Sequence, residues 1–264
     1  MSAHQNIISV ESLSHAYPGL GKSGSVPALS DINVSIEPGD ILSIVGPSGC
    51  GKSTLLKCIL GLLEPSGGSV RLDGKSPEDV AREHRIGFVP QKPVFFEWMN
   101  IRDNVTLPLR IAEVEEDQET IELFFRLVSL EGFENAHPHE LSGGMLGRAS
   151  LIRGMVNQPN FLFLDEPFNN LDEVLRHYLS TRVFLSAREM KQTVAMVTHD
   201  VREAITYSDK VLVLSSRPAT VVELIDVSLG DDLDKRRENT TRIEELYHEI
   251  IGYMRKSHEL DQAE

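Results

Sequence analysis

Apolar and polar residues alternate along Ile32-Asn33-Val34-Ser35-Ile36, the period of a strand with one buried face. Ile7-Ile8-Ser9-Val10 is a second apolar-rich strand candidate, and Pro18 to Pro27, rich in Gly, Ser and Pro, predicts a surface loop between the two. Ile41-Leu42-Ser43-Ile44-Val45 is instead a continuous apolar run, as expected of a strand covered on both faces in a parallel sheet. Helical character follows from Lys52 to Leu62. Ser69 to Gly74 predicts a strand ending in a turn, and Ile86-Gly87-Phe88-Val89 another strand. From Lys92 to about Met155 the pattern turns helical, with Ile121, Leu123, Phe124, Leu127 and Val128 supplying an apolar face. Buried strands return at Phe161–Leu164, Val194–Val197 and Val211–Leu214, with a helical segment from Glu173 to about Lys191. This is a strand–helix–strand series carrying an inserted helical block, hence an α/β fold. Gly230 to Asp234 reads as an acidic loop. Thr241-Arg242-Ile243-Glu244 then fits a capping box, and Ile243, Leu246, Ile250, Tyr253 and Met254 recur at the spacing of an amphipathic helix packed on its own domain.

The chain has 264 residues, enough for one large domain or two small ones. No apolar run approaches the roughly 20 residues of a membrane-spanning helix, and Met1 to Asn6 lacks an apolar signal-peptide core. Net charge is 26 − 40 = −14, which repels nucleic acid and anionic lipid. Neither nucleic-acid binding nor direct lipid insertion is expected. Cys50 and Cys58 lie eight positions apart, and a disulfide between them would distort the loop they flank, so both are expected as reduced thiols.

Three phosphate-chemistry motifs stand in order. Gly46-Pro47-Ser48-Gly49-Cys50-Gly51-Lys52-Ser53 is a P-loop, placed between a buried strand and a helix as that motif requires. Its glycines let backbone N–H groups close on a β-phosphate, Lys52 brings a cation to the β/γ-phosphates, and Ser53 offers a hydroxyl to Mg²⁺. Thr54 adds a contact to the α-phosphate. Asp165 and Glu166 end the apolar strand Phe161–Leu164, where open α/β sheets bind their ligands. Asp165 is placed to hold Mg²⁺ and Glu166 to act as general base on water; the alternative is a pair of helix-capping acids. In Leu141-Ser142-Gly143-Gly144, Ser142 supplies a hydroxyl and the glycines expose N–H groups at a helix start. Alone it would be an ordinary serine cap, but it falls 23 residues (165 − 142) before Asp165.

Together these motifs resemble the nucleotide-binding subunit of an ATP-binding cassette (ABC) transporter, over about Ile7 to Val227. The resemblance implies a RecA-like P-loop NTPase core with an antiparallel β subdomain, and an ABC ATPase domain over residues 1–228 with its helical subdomain at about 92–155. Residues 229–264 would form the acidic loop and tail helix. ATP and Mg²⁺ would be the cofactors. Gln91, after strand Ile86–Val89, matches the Q-loop that senses Mg²⁺ and the attacking water. His199 matches the histidine that touches the γ-phosphate, and Tyr17 the aromatic that stacks on adenine, the lesser alternative being a tyrosine that fills a strand's apolar face. Ser142, Gly143 and Gly144 would contact the ATP of an opposite subunit, and Asp172 of Asn169-Asn170-Leu171-Asp172 would contact the dimer partner.

The expected partners are a second ABC subunit, identical or not, transmembrane permease subunits and a substrate-binding protein. The expected location is peripheral, on the cytoplasmic side of the cell membrane. The aromatic-rich segment Phe95 to Val105, holding the one Trp, resembles the permease-docking groove. Trp98 with the later Asn104-Val105, and Leu214-Ser215-Ser216-Arg217-Pro218, are similar to the nitrate, sulfonate and taurine importers, although Glu97 stands where those commonly have Pro. After Gly144 this chain has Met145-Leu146-Gly147-Arg148, where only Arg148 matches the usual signature; Gly147 and Gly154 each weaken a helix by roughly 1 kcal/mol. That departure raises a second reading: a nucleotide-gated, weakly hydrolysing subunit of a heterodimer. An exporter or lipid-transport ATPase is a further alternative.

Overall fold

The structure, a computed structural model, describes residues 7–19, 24–169, 171–230 and 232–261. The middle of the expected Pro18–Pro27 loop, Asn170 and the first six residues lie outside them. In chain order the strands and α-helices begin β1 (Ile8–Tyr17), β2 (Val26–Ile36), β3 (Ile41–Val45), α1 (Lys52–Ile59), β4 (Gly67–Leu72), α2 (Pro77–Arg82), β5 (Ile86–Val89), α3 (Ile101–Ile111), α4 (Gln118–Leu127) and α5 (Gly143–Met155). They continue with β6 (Phe161–Asp165), α6 (Glu173–Glu189), β7 (Thr193–Val197), α7 (Val201–Tyr207), β8 (Lys210–Leu214), β9 (Val221–Asp226), α8 (Leu233–Glu238) and α9 (Thr240–Asp261). The chain divides into two compact units, Met1–Val80 with Thr193–Glu264, and Ala81–Gln192.

In the first unit β1 is the middle strand of an antiparallel sheet ordered β2-β1-β4. The alternation read at Ile32–Ile36 is realised there: Ile32, Val34 and Ile36 are buried while Asn33 and Ser35 face solvent. β3 pairs in parallel with β7 and with β8, and every residue of β3 is buried, which is why its sequence does not alternate. β9 adds to β8 as an antiparallel edge strand. The segment joining β8 to β9 is fixed to β2: Ser30 N donates to Ala219 O at 2.9 Å and Ala219 N donates to Ala28 O at 2.9 Å.

The tail helix α9 lays Ile243, Leu246 and Ile250 into a buried cluster with Val201, Ile205, Val211, Val213 and Ile225. The apolar face read from the sequence is therefore a packing face. Its start differs from the expected one: α9 begins at Thr240, and Asn239 Oδ1, not Thr241, accepts from a first-turn amide, Arg242 N at 3.4 Å. The expected loop at Gly230–Asp234 gives way to α8 from Leu233, because Asp232 caps it through Lys235 N at 3.2 Å.

In the second unit β5 pairs in parallel with β6. The expected helical stretch does not start at Lys92. Residues 92–100 are irregular, and α3 begins after Asn100, whose side chain accepts from Asp103 N. Gly154 also proves different from Gly147. A Cβ on Gly154 would lie 2.6 Å from Val89 Cγ2, whereas one on Gly147 meets nothing within 4 Å. Gly154 lets α5 approach β5 closely. Gly147→Ala is expected to raise stability by about 1 kcal/mol, and Gly154→Ala to lower it by about 1–3 kcal/mol. Urea denaturation of both variants would show the opposite signs; two shifts of the same sign would refute the packing role of Gly154.

Candidate functional site

β3 delivers the chain to residues 46–51 and α1 takes it away from Lys52, the strand–loop–helix order read from the sequence. Two glycines are held by close approach. A Cβ on Gly46 would lie 2.9 Å from Leu214 O, and one on Gly51 3.0 Å from Ala28 O. Gly49 has open space around it but sits at φ +74, where a side chain is strained. Lys52 is buried, and its Nζ donates to Gly46 O and Pro47 O, both at 2.9 Å, so its charge is seated on the loop itself. Cys50 and Cys58 are free and buried; burial raises the Cys50 thiol above its ordinary value and pushes Cys58 up to about 11, so both stay protonated and inert.

His199 is exposed two residues beyond β7. Register explains its position: Ile44 of β3 pairs with Val197, and Thr198 N donates to Ile44 O at 3.3 Å, so His199 and Gly46 leave the sheet at the same C-terminal edge. Asp200 caps α7 through Arg202 N at 2.9 Å and Glu203 N at 3.1 Å. Tyr17 closes β1 and its hydroxyl bonds Thr54 Oγ1 at 3.0 Å, joining the aromatic to the helix after the P-loop. His15 meets the Tyr17 ring edge-on at 4.7 Å and is held through Nδ1 by Glu64 O at 3.0 Å.

The second unit repeats the strand-edge arrangement. Val89 pairs with Leu164, so Gln91 and Glu166 each follow two residues later, and Gln91 Nε2 donates to Glu166 Oε2 at 2.6 Å. Asn169 Nδ2 donates to the same oxygen. Glu166 sits at φ +50, the left-handed region, which costs a non-glycine residue about 1–3 kcal/mol. A carboxylate kept there and oriented by two amides is a group whose placement outweighs local comfort. Asp165, the last residue of β6, is 2% exposed.

Ser142 is the N-cap of α5, accepting from Met145 N at 3.3 Å, and Ser142 and Gly143 are exposed. Met145 thus uses its backbone where its side chain departs from the usual signature. Arg148, the position that matches, donates to Val128 O at 2.6 Å and Ser129 O at 2.7 Å and ties α5 to the end of α4. Asp172 caps α6 through Leu175 N at 3.0 Å.

Asn104 carries a role that its sequence position does not reveal. Fully buried, it accepts from Phe96 N at 2.8 Å and donates to Phe96 O, Met99 O and Asn100 O at 2.9–3.0 Å. One amide thereby fixes the irregular segment that displays Val94, Phe96 and Trp98, the last 76% exposed.

Residues 29–169, more than half of the chain, match the family model described as ABC transporter. This chain belongs to the ABC transporter family. It is similar to the aliphatic sulfonates import ATP-binding protein SsuB of Bacillus subtilis (strain 168), with 34% identity over 236 residues, 89% of this chain and 90% of that protein. It is 33% identical over 252 residues to the nitrate import ATP-binding protein NrtD of Synechocystis, covering 93% of this chain and 94% of that one. Among solved structures, the dimeric post-hydrolysis state of the ATP-binding cassette MJ0796 with ADP and Pi matches with a TM-score of 0.75 at 27% identity, over 83% of this chain and 98% of that one. The α/β P-loop fold expected from the motifs is that of the ABC cassettes, and the chain is an ATP-binding ATPase subunit of this family. Among the described residues, no helix of this ABC subunit is long and apolar enough to cross a membrane.

Proposed function

We propose that this ABC ATPase energises import of a small oxyanion of the sulfonate, nitrate or taurine class. The observation that carries this reading is the near end-to-end likeness to proteins named as sulfonate and nitrate import subunits, over 89% and 93% of this chain. Lys52 and the backbone N–H groups of residues 48–53 hold the phosphates of ATP, Thr54 the α-phosphate, and Tyr17 stacks on the base. His199 contacts the γ-phosphate. Ser53, Asp165 and Gln91 offer a hydroxyl, a carboxylate and an amide oxygen, a hard-oxygen donor set that fits Mg²⁺. When bound, that ion neutralises charge on the β- and γ-phosphates.

Glu166 takes a proton from water as the water oxygen bonds to the γ-phosphorus and the bridging β–γ P–O bond breaks, leaving ADP and phosphate. Its Oε2 is oriented by Gln91 and Asn169; among the described residues Oε1 accepts no hydrogen bond and is the atom that receives the proton. Ser142, Gly143, Gly144 and Asp172 serve the nucleotide and contact surface of a partner subunit. The dimeric state of MJ0796 supports that pairing.

The Phe95–Val105 segment docks a permease, which holds this subunit at the cytoplasmic face of the membrane, and a substrate-binding protein feeds the importer. Deleting the gene is expected to abolish growth of its host on an alkanesulfonate as sole sulfur source or on nitrate as sole nitrogen source. Retention of growth on both, with no other importer of either solute present, would refute the oxyanion assignment.

A further inference from the structure

Tyr17 lies opposite Val26 in the β1–β2 ladder, and Ala16 lies opposite Pro27. The carbonyl oxygens of Val26 and Pro27 accept from a single side chain that the three phosphate-chemistry motifs do not use. Arg217 donates through Nε to Pro27 O at 2.9 Å and through Nη2 to Val26 O at 3.5 Å. Its guanidinium carbon then stands 6.0 Å from the centre of the Tyr17 ring.

Both groups rest on fixed backbone. Tyr17 is tied to Thr54 at 3.0 Å and buttressed by the edge of His15. Arg217 belongs to the turn between β8 and β9, which is pinned to β2 on one side by the Ala28, Ser30 and Ala219 backbone bonds. Within that turn, Thr220 N donates to Ser215 Oγ at 2.8 Å. The same stretch of β2 packs beneath the P-loop, since a Cβ on Gly51 would touch Ala28 O and Leu29 Cδ2 at 3.0 Å and Ala219 Cβ at 3.7 Å. A planar ring and a planar cation are therefore held on one rigid edge, joined through Thr54 to the loop that takes the phosphates.

A guanidinium has five N–H donors in a fixed fork. The two carbonyl bonds use two of them, and Arg217 is exposed, so its outer donors and one face remain available to a ligand lying on Tyr17. We propose that Arg217 is a second nucleobase-binding residue of this ATPase, gripping the base of the bound nucleoside triphosphate beside Tyr17 by cation–π contact and N–H donation to ring nitrogens. The inference rests on the reading that Tyr17 carries the base.

Inorganic tripolyphosphate separates the two ideas, because it has the phosphates and no base. Calorimetric titration of the intact wild-type chain with MgATP and with magnesium tripolyphosphate gives the ratio of the two Kd values, which measures the contribution of the nucleoside. Arg217→Ala is expected to shrink that ratio about twofold to fivefold, the range of an exposed cation–π contact, with tripolyphosphate affinity unchanged. Arg217→Met, which keeps the aliphatic stem against β2, is expected to give the same loss. A ratio as large as wild type in both variants, or a parallel loss of tripolyphosphate affinity, overturns the proposal while leaving Tyr17 in its role. A ratio that survives Tyr17→Ala overturns the Tyr17 reading, and this inference with it.

Discussion

Replacing Glu166 by Gln is expected to lower ATP hydrolysis by on the order of 10²-fold or more, the contribution of a positioned general base, while ATP binding persists. The variant tests proton acceptance alone, because the geometry survives it. Gln91 Nε2 and Asn169 Nδ2 both donate to one oxygen of residue 166, and an amide oxygen accepts both as a carboxylate oxygen does. What glutamine cannot do is take a proton from water. Phosphate release under saturating MgATP reads the rate, and calorimetry confirms that the nucleotide is bound. A rate within about threefold of wild type would remove Glu166 from the base role. A wild-type rate no faster than that of Lys52→Ala would instead favour the weakly hydrolysing, nucleotide-gated reading prompted by Met145.

Lys52 and Glu166 were legible in the sequence because the strands that lead to them are, whereas Gln91 and His199 were read only through the family resemblance and the Asn169 bond to Glu166 was not read at all. An all-apolar run ending in Asp-Glu, or in the first glycine of a P-loop, specifies a buried parallel strand and therefore an edge at which its last residues emerge. One register then aligns Gln91 with Glu166, and another aligns His199 with Gly46. Residues whose role depends on what packs against them from far along the chain were not legible. Gly154 reads as a weak point in a helix until β5 lies against it. Asn104 reads as one polar residue in a helix until its amide is seen holding three backbone carbonyls of the segment before it. Arg217 reads as part of a loop motif until the β1–β2 ladder brings it to Tyr17. β9 and α2 are short and only partly apolar, so neither period stands out in their sequences.

The largest stability effect is expected at Arg236, another residue whose role depends on what packs against it from elsewhere in the chain. Lys235-Arg236-Arg237 is a basic run in a short helix, yet Arg236 is 2% exposed. Its Nη1 donates to Ser208 O at 2.6 Å and Thr206 O at 3.5 Å, its Nε to Gly230 O, and its Nη2 to Asp209 Oδ1 at 2.7 Å. The cation sits at the C-terminal end of α7, where unsatisfied carbonyls and the helix dipole favour positive charge. Asp209 continues the connection by accepting from Ile41 N at 2.9 Å, at the start of the strand that leads to the P-loop. Arg236→Ala leaves a carboxylate and three carbonyls without this partner. Removing one member of a buried ion pair costs about 3–5 kcal/mol, and because the Asp209 side chain keeps 21% of its surface in water the lower end is expected, about 3 kcal/mol. Arg236→Met fills more of the volume without the charge and should recover less than half of that loss. Urea denaturation measures the cost. Limited proteolysis should find α9 cleaved first, since the apolar face of that helix rests on α7, β8 and β9 beside the clamp. A loss below about 1 kcal/mol in Arg236→Ala would mean that water replaces the guanidinium without penalty, and that the apolar contacts of Ile243, Leu246 and Ile250 hold the tail by themselves.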